Sequence, residues 1–362
     1  MIPITRPFSP PIEEYQELLE GIWKRKWFTN NGPLVNDLEL KLKGYLGLKH
    51  VLFVSNGTIA IQIALKSLNI TKDVITTPFS YVATTSSIVW EGCTPIFADI
   101  DPETLNIDPE KIEAVITDNT QAILATHCFG NPCDVEAIQA VARKHGLKVI
   151  YDAAHCFGTK YRGESIFTWG DVSTTSFHAT KLFHTIEGGA VFTQDPEILK
   201  KMAFCRNFGH DGPENFQGVG INGKNSEFHA AMGILNLNYV DSILERRKKQ
   251  SLFYDSYLDC PAISKIKIQP DSTFNHAYYP IIFQSEEITL KIKRSLEEKE
   301  IFPRRYFCPV LSNLKYVHAA STPIAEDIAS RILCLPLYYE LSEQEQLIVC
   351  RVILRNLKYN GA

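Results

Sequence analysis

The chain has 362 residues, of which 45% are hydrophobic and 22% charged, and its net charge at pH 7 is −4. This composition is typical of a globular protein with one large domain or two ordinary ones. The balanced charge argues against nucleic acid and membrane surfaces as main partners. No apolar run is long enough to cross a bilayer, and "MIPITRPFSPPIEEYQ" lacks the apolar segment of a secretory signal, so we expect neither feature.

The nine cysteines are scattered along the chain and odd in number. This argues against a disulfide framework and favours the reducing cytoplasm. In "THCFGNPCD", His127, Cys128 and Cys133 could suggest a metal site. No second pair at ligand spacing follows, so we predict a strand end and a Gly-Asn-Pro turn instead, with no metal.

Short hydrophobic strands alternate with helical segments from about Val51 to Val149. This alternation predicts an α/β fold with a mostly parallel central sheet and helices on both faces. Ligands bind such sheets at the carboxyl ends of the strands. The predicted strands lie in "HVLFVSNGT", "DVITTP", "TPIFADID", "QAILATH" and "LKVIYDAAH", and the predicted helices are Thr58 to Leu68, Tyr81 to Glu91, "DPEKIEAVI" and Asp134 to His145.

Lys181 lies in "STTSFHATKLFHTIEGGAVFT", between the predicted strands Ser173 to Phe177 and Ala190 to Thr193. Burying an ammonium group costs free energy, so a solvated loop lysine is one interpretation. The other is a lysine that forms a Schiff base, which needs a sheltered pocket and a lowered pKa. The choice depends on the rest of the chain.

The C-terminal part of the chain has a different composition. A long helix is predicted from Ser226 to about Leu258, followed by a strand in "HAYYPIIFQ" and a helix from Glu286 to Glu300. We place a domain boundary near residue 245. Residues 1–245 would form a large α/β domain, and residues 246–362 a smaller α+β domain.

Two other polar groups follow predicted strands. The segment "SNGT" ends in Gly57 and Thr58 at a helix start, where backbone N–H groups favour a phosphate, although an ordinary N-cap also explains it. Asp152 ends a hydrophobic strand. It could cap a helix, form a structural ion pair, or provide a carboxylate that keeps a pyridine nitrogen protonated. His155 could reach a ring substituent or pack in the core.

The order of these groups along the chain is the order that a pyridoxal 5′-phosphate (PLP) site needs. The phosphate is anchored at a helix N-terminus, Asp152 pairs with the ring nitrogen, and Lys181 holds the aldehyde. Each signal is weak by itself, but three of them in one order at successive strand ends predict PLP as the cofactor.

Several segments carry a resemblance to a known family. They are "DAAHCFGTKYRG", "GDVSTTSFHATK", "EGGAVFT", "KWFTNNGPLVNDLE", "TPFSYVATTSSI", "CFGNPCD", "GINGKNSEFHAAMG" and "LCLPLYYELS". Together they resemble the DegT/StrS family of PLP-dependent nucleotide-sugar aminotransferases over nearly the whole chain. The resemblance implies the type I PLP-dependent aminotransferase fold, with a smaller C-terminal α+β domain.

The resemblance assigns roles to individual residues. It implies that Lys181 is the Schiff-base lysine, Asp152 the partner of the pyridine nitrogen, and His155 a residue near the ring hydroxyl. It further implies that Tyr81 stacks on the cofactor ring, and that the phosphate cup contains Gly57, Thr58 and Ser176.

The resemblance also implies a homodimer with shared active sites. Asn222 matches an asparagine that reaches the phosphate of the neighbouring subunit. Where the family usually has an arginine after this asparagine, the chain has Lys224, and where a methionine is common it has Asn225. These two departures affect details of the cross-subunit contact only. A dehydrase branch carries histidine at the lysine position, so Lys181 argues against that branch.

The implied activity is a ping-pong transfer of an amino group from L-glutamate to a nucleotide-linked keto-deoxy sugar. The segment "SFHATK" is more similar to members that aminate C4, which favours dTDP-4-keto-6-deoxy-D-glucose and the viosamine-forming type. C3 amination of a dTDP-3-keto-6-deoxy sugar is the alternative. Lipopolysaccharide O-antigen is the expected destination of the product.

Candidate substrate contacts lie outside the cofactor motifs. In "EKEIFPRRYFCPVL", Arg304 and Arg305 stand beside aromatics and suit a diphosphate or a nucleoside base, unless they are a solvated basic pair. Thr29 and Asn30, within Trp27 to Gly32, are expected at the same mouth.

The sequence disfavours two functions of other classes. A non-catalytic regulator with a PLP fold is disfavoured by the intact Lys181 and Asp152. A nicotinamide enzyme is disfavoured because "SNGTIA" lacks the G-x-G-x-x-G fingerprint.

Overall fold

The computed structural model describes residues 1–318 and 320–358. Its helices are α1 (Ile12–Arg25), α2 (Pro33–Leu46), α3 (Gly57–Ser67), α4 (Val82–Trp90), α5 (Pro109–Ala114), α6 (Val135–His145), α7 (Pro196–Arg206), α8 (Glu227–Tyr257), α9 (Glu286–Glu297), α10 (Pro323–Arg331) and α11 (Glu343–Lys358). Its strands are β1 (Ile2–Pro3), β2 (His50–Val54), β3 (Asp73–Thr76), β4 (Thr94–Phe97), β5 (Thr120–Thr126), β6 (Lys148–Asp152), β7 (Lys160–Tyr161), β8 (Glu164–Ser165), β9 (Val172–Ser176), β10 (Gly189–Thr193), β11 (Ile263–Ser264), β12 (Ser272–Thr273), β13 (Tyr279–Phe283), β14 (Ile301–Phe302) and β15 (Ile332–Leu335).

A seven-stranded sheet organises the N-terminal two thirds of the chain. Its order is β2-β10-β9-β6-β5-β3-β4. β10 is antiparallel to both of its neighbours, and the other pairs are parallel. The predicted α/β fold with a mostly parallel sheet is therefore confirmed.

Alternate residues of each strand pack on opposite faces of this sheet. In β2, Val51 and Phe53 join a core cluster with α2 and α8, whereas Leu52 and Val54 join a second cluster with α3. Side chains alternate along a strand, so a strand covered by helices on both sides must be hydrophobic throughout. This explains why the strand segments are continuous apolar runs.

Polar side chains cap the helices where the chain leaves the sheet. The Asn56 side chain accepts a hydrogen bond of 2.9 Å from the Ile59 N–H at the start of α3. Asp134 does the same for Ala137 in α6, at 3.0 Å. Such caps satisfy N–H groups that have no partner within the helix.

The C-terminal part forms a second layer around the antiparallel sheet β11-β13-β15. A separate core there contains Ile281, Leu333 and Val349. β1 pairs with β14 and so ties the N-terminus to this part. α8 passes through residue 245 without interruption, and the domain boundary at that residue stays a prediction.

The "THCFGNPCD" segment forms a buried turn at the end of β5. His127 Nδ1 accepts a hydrogen bond of 2.9 Å from the Cys133 N–H, and its ring stacks on Tyr151 at 4.5 Å. Burial lowers the pKa of His127 to about 3. Among the described residues, no group of three His, Cys, Asp or Glu side chains could hold a metal ion.

The nine cysteines are all free thiols. Over residues 1–318 and 320–358, no helix is both long enough and apolar enough to cross a membrane.

Candidate active site

A cavity of about 540 Å³ opens at the carboxyl ends of β2, β6 and β9. It brings together seven of the residues predicted for the cofactor and the chemistry: Gly57, Thr58, Tyr81, Asp152, His155, Ser176 and Lys181. These residues are far apart in sequence and meet because parallel strands end at the same edge of the sheet.

One end of the cavity is built to bind an anion. α3 begins at Gly57, directly behind the Asn56 cap, and its first N–H groups have no helical partner. A Cβ added to Gly57 would lie 2.9 Å from the Cβ of Ser176, so only glycine allows this close approach. With the hydroxyls of Thr58 and Ser176 in the same lining, this end fits a phosphate group.

Asp152 is the last residue of β6 and is 6% exposed. One carboxylate oxygen accepts a hydrogen bond of 2.7 Å from the Thr84 hydroxyl, and the other one of 3.2 Å from the Ala154 N–H. Burial raises the pKa of this carboxyl, while Thr84, Ala154 and the charge of Lys181 act in the opposite direction. A buried carboxylate facing a cavity is suited to pairing with a protonated ring nitrogen.

Lys181 lies in the loop between β9 and β10 and projects into the same cavity. Its Nζ lies 3.4 Å from the Tyr278 hydroxyl oxygen. Burial lowers the pKa of the Lys181 ammonium, and the negative charge of Asp152 partly offsets this effect. A lysine amine with a lowered pKa in a sheltered pocket can act as a nucleophile and as a general base.

His155 is 5% exposed, and its ring lies nearly parallel to that of Phe307 at 5.9 Å. Its Nδ1 accepts a hydrogen bond of 3.2 Å from the Phe129 N–H. Burial, with a smaller effect from Lys181, lowers the pKa of His155 well below its ordinary value. The ring is therefore neutral, with its proton on Nε2, from which it can donate to a ring substituent.

Tyr81 is the N-cap residue of α4 and 59% exposed. Its ring lines the cavity wall and is free to stack on a planar ligand. The anion cradle, the carboxylate, the amine and this ring together fit PLP.

Five predicted site residues lie outside this cavity within one chain: Thr29, Asn30, Asn222, Arg304 and Arg305. Asn222 lies beside the cavity, because the carbonyl of Gly223 accepts a hydrogen bond of 2.9 Å from the Ser55 N–H. Asn30 lines a separate depression with Arg206 and Lys224. The carbonyl of Thr29 accepts a hydrogen bond from the Trp27 side chain.

The two arginines of the "RRYF" segment have different surroundings. Arg304 is exposed in a depression of about 540 Å³, which shares Tyr81 and Tyr306 with the cofactor cavity. Arg305 donates to Glu286 and to the carbonyls of Ala329 and Ser330, at 2.8 to 3.2 Å. Arg305 therefore holds the chain in place, and Arg304 is available to a ligand.

Polar side chains that the sequence analysis did not single out also contribute to this site. Ser80, Tyr278 and Tyr306 line the cavity, and Thr84 lies buried behind Asp152, to which its hydroxyl donates. The Thr84 hydroxyl is also 2.8 Å from that of Ser80, which continues the network of Asp152. Ser80 and Thr84 stand in the segment "TPFSYVATTSSI", whereas Tyr278 stands in "HAYYPIIFQ", where the pattern indicates only a strand.

Comparison with known proteins gives consistent results. The model of the DegT/DnrJ/EryC1/StrS aminotransferase family matches residues 11–354. The chain is 44% identical over 346 residues to a dTDP-4-amino-4,6-dideoxy-D-glucose transaminase of Shigella dysenteriae, covering 94% of each chain. It is 37% identical to a protein of the same name from Escherichia coli, covering 98% of each.

A solved structure agrees with these relatives. DesI, crystallised with its TDP-sugar product, superimposes with a TM-score of 0.94 at 30% identity, covering 99% of this chain and 93% of its own. The chain therefore belongs to the DegT/DnrJ/EryC1/StrS aminotransferase family, whose members depend on pyridoxal phosphate.

Proposed function

We propose that the protein transfers an amino group from L-glutamate to C4 of dTDP-4-keto-6-deoxy-D-glucose. The chemistry is supported above all by Lys181 and Asp152, which face one cavity beside an anion cradle. The sugar is supported by two relatives, 44% and 37% identical, that are both named dTDP-4-amino-4,6-dideoxy-D-glucose transaminase.

The cofactor would be held at four places. The first turn of α3 and Ser176 would bind the phosphate, Asp152 the ring nitrogen, and Tyr81 the ring face. When bound, PLP supplies an aldehyde that exchanges amino groups and a ring that withdraws electrons. His155 donates from Nε2 and would orient the ring through its hydroxyl.

Lys181 moves the proton in this proposal. Because burial lowers the pKa of its ammonium, the neutral amine is more accessible near pH 7. Its Nζ takes the proton from Cα of glutamate as a general base and returns a proton as a general acid. The same steps run in the opposite direction with the keto sugar, so the kinetics are ping-pong.

Asp152 acts as a fixed negative charge. The Thr84 hydroxyl and the Ala154 N–H both donate to it, so its orientation is fixed before any ligand enters. Burial raises the pKa of Asp152, and these hydrogen bonds and the charge of Lys181 oppose that effect by favouring the ionised form. An ionised Asp152 keeps a ring nitrogen protonated during both halves of the reaction.

The finer parts of the proposal rest on the resemblance. The protein would be a cytoplasmic homodimer, in which Asn222 of each subunit reaches the neighbouring site. Its nine free cysteines support a reducing compartment. Incorporation of the product into a lipopolysaccharide O-antigen stays a prediction, and C3 amination is the alternative that the next experiment tests.

The test is a panel of keto sugars offered to the PLP-loaded protein with L-glutamate. The panel contains dTDP-4-keto-6-deoxy-D-glucose, its GDP counterpart and a dTDP-3-keto-6-deoxy sugar. We expect fastest 2-oxoglutarate release with the dTDP 4-keto sugar, and mass spectrometry should show an amine at C4. Preference for the 3-keto sugar would replace the proposal with its alternative.

The two arginines beside the cavity provide a matched pair of variants. Arg304→Ala should raise KM for the nucleotide sugar roughly tenfold or more, because a charge-assisted contact to a phosphate is lost. Its half-reaction with glutamate should be unchanged. Arg305→Ala should instead lower thermal stability, since it loses Glu286 and two carbonyl partners. Equal KM effects of both variants would contradict this assignment.

A further inference from the structure

Tyr278 contacts the reactive amine of Lys181, and neither the motifs nor the proposed mechanism assigns it a role. It precedes β13, in the C-terminal part of the chain, and its side chain lines the cofactor cavity. Its hydroxyl oxygen lies 3.4 Å from Lys181 Nζ, and its ring contacts that of His155 edge-on at 4.7 Å. Tyr278 therefore contacts both the loop that carries Lys181 and the loop that carries His155.

Hydrogen bonds tie the backbone that carries Tyr278 to the loop after β6. The Asn275 amide donates to the carbonyls of His155 and Phe157, at 2.7 and 2.9 Å. Its side-chain oxygen accepts a hydrogen bond of 3.0 Å from the Ala277 N–H. The loop carrying His155 and the segment carrying Tyr278 are thus one hydrogen-bonded unit.

A buried arginine holds the same segment from the other side. Arg247 of α8 is 4% exposed and donates a hydrogen bond of 3.0 Å to the carbonyl of Ala277. Burial lowers the pKa of Arg247 to about 10. Burying a cation costs free energy unless it is hydrogen-bonded, and Arg247 makes its hydrogen bond to the peptide group immediately before Tyr278.

We propose that Tyr278 is a positioning residue for Lys181: its phenol hydroxyl holds the ε-amine in place, and Asn275 and Arg247 hold Tyr278. This deepens the proposed function, on which its kinetic part rests. Tyr278 transfers no proton itself. It keeps the amine in one orientation while Lys181 alternates between its neutral and protonated forms.

A phenol is suited to this role because it can serve both forms of the amine. Burial raises the pKa of Tyr278, so its hydroxyl stays protonated. It accepts a hydrogen bond from the ammonium and donates one to the neutral amine. The titratable groups that interact with Lys181 are Tyr81, Asp152, His155, Cys156, Tyr278 and Tyr306, and His178 and Glu187 also line the cavity.

The first test requires neither cofactor nor substrate. Lys181 in the cofactor-free protein is labelled with trace acetic anhydride across a pH series, and labelling is quantified by mass spectrometry. In Tyr278→Phe the ammonium loses an acceptor, which benefits a charged donor most. We expect the labelling midpoint to fall by about half to one pH unit. An unchanged or raised midpoint would overturn the proposal.

The second test uses the PLP-loaded protein and its half-reaction with glutamate. Tyr278→Phe should lower the rate constant about tenfold with little change in the glutamate concentration for half-maximal rate, since orientation and not binding is lost. Tyr279→Phe is the matched control: the adjacent tyrosine donates to Asp255 at 2.8 Å, away from the cavity. Equal rates in Tyr278→Phe and native protein would also overturn the proposal.

The role of Arg247 in holding Tyr278 can be separated from simple destabilisation. If Arg247 acts through Tyr278, the double variant Arg247→Gln/Tyr278→Phe should be no slower than Tyr278→Phe alone, whereas independent effects would multiply. Multiplicative losses would remove Arg247 from the proposal. Both the labelling and the glutamate half-reaction proceed without a sugar, so a failure of the sugar assignment would leave these results interpretable.

Discussion

Lys181→Ala should reduce transamination by roughly 10⁴-fold or more, because the variant loses both its general base and its covalent attachment point for the aldehyde. The variant should still take up PLP, since the anion cradle, Asp152 and Tyr81 are intact. Its cofactor should be removable by dialysis, unlike that of the native protein. The measurement is 2-oxoglutarate release from glutamate, with absorbance recorded before and after dialysis.

A surface lysine serves as the control for this variant. Lys249 is exposed on α8 and pairs with Glu245 at 2.7 Å, so Lys249→Ala should retain native activity. Small primary amines added to Lys181→Ala should restore part of the rate, because they can replace the missing base in the cavity. A rate within tenfold of native, without added amine, would mean that Lys181 does not carry the proton.

Asp152→Asn should lower the rate of both half-reactions by roughly 10²- to 10³-fold, the equivalent of removing one partner of a buried charge pair. Asparagine has nearly the same shape, and its oxygen can still accept from Thr84 or Ala154. The change therefore removes charge with little change in packing. Stopped-flow absorbance with glutamate and then with the keto sugar measures each half-reaction separately.

Asp134 provides the comparison for this substitution. It is exposed and caps α6 through Ala137, so Asp134→Asn should leave both rates unchanged, because asparagine is also a good N-cap. Native rates in Asp152→Asn would show that the reaction does not need a carboxylate at the ring nitrogen.

Asp152→Asn should also change how the stability of the cofactor-free protein depends on pH. Burial raises the pKa of Asp152 above its unfolded value. Its stabilising contribution is therefore present at low pH and is lost as pH rises through the folded-state pKa. The stability of native protein relative to Asp152→Asn should thus decrease as pH rises, as urea unfolding at several pH values would show.

Much of the secondary structure could be predicted from hydrophobic pattern and caps alone. The long helix expected from Ser226 to about Leu258 is α8, Glu227–Tyr257, because the Ser226 cap and the charged surface residues are local signals. The helix expected to end at Glu300 ends at Glu297 instead. Glu300 has a φ of 56°, which a helix cannot continue through, and no pattern in the residues marks that position.

The substrate side of the site was less predictable. "RRYF" presents two arginines that look equivalent, yet only Arg304 is exposed beside the cavity, while Arg305 is bound to Glu286. That difference arises from the packing of α9 and α10 around the segment. Asn30 and Thr29 lie elsewhere within the chain, and their role at a shared site stays a prediction.

The sequence by itself determined the family, the cofactor and the order of phosphate loop, aspartate and lysine, since these depend on residue types at fixed places after strands. Only the tertiary structure decided which further groups act on them. Thr84 contacts Asp152 although 68 positions separate them in the sequence, and Tyr278 contacts Lys181 over a separation of 97 positions. Such contacts depend on how separate elements pack, and packing leaves no periodic signal in the chain.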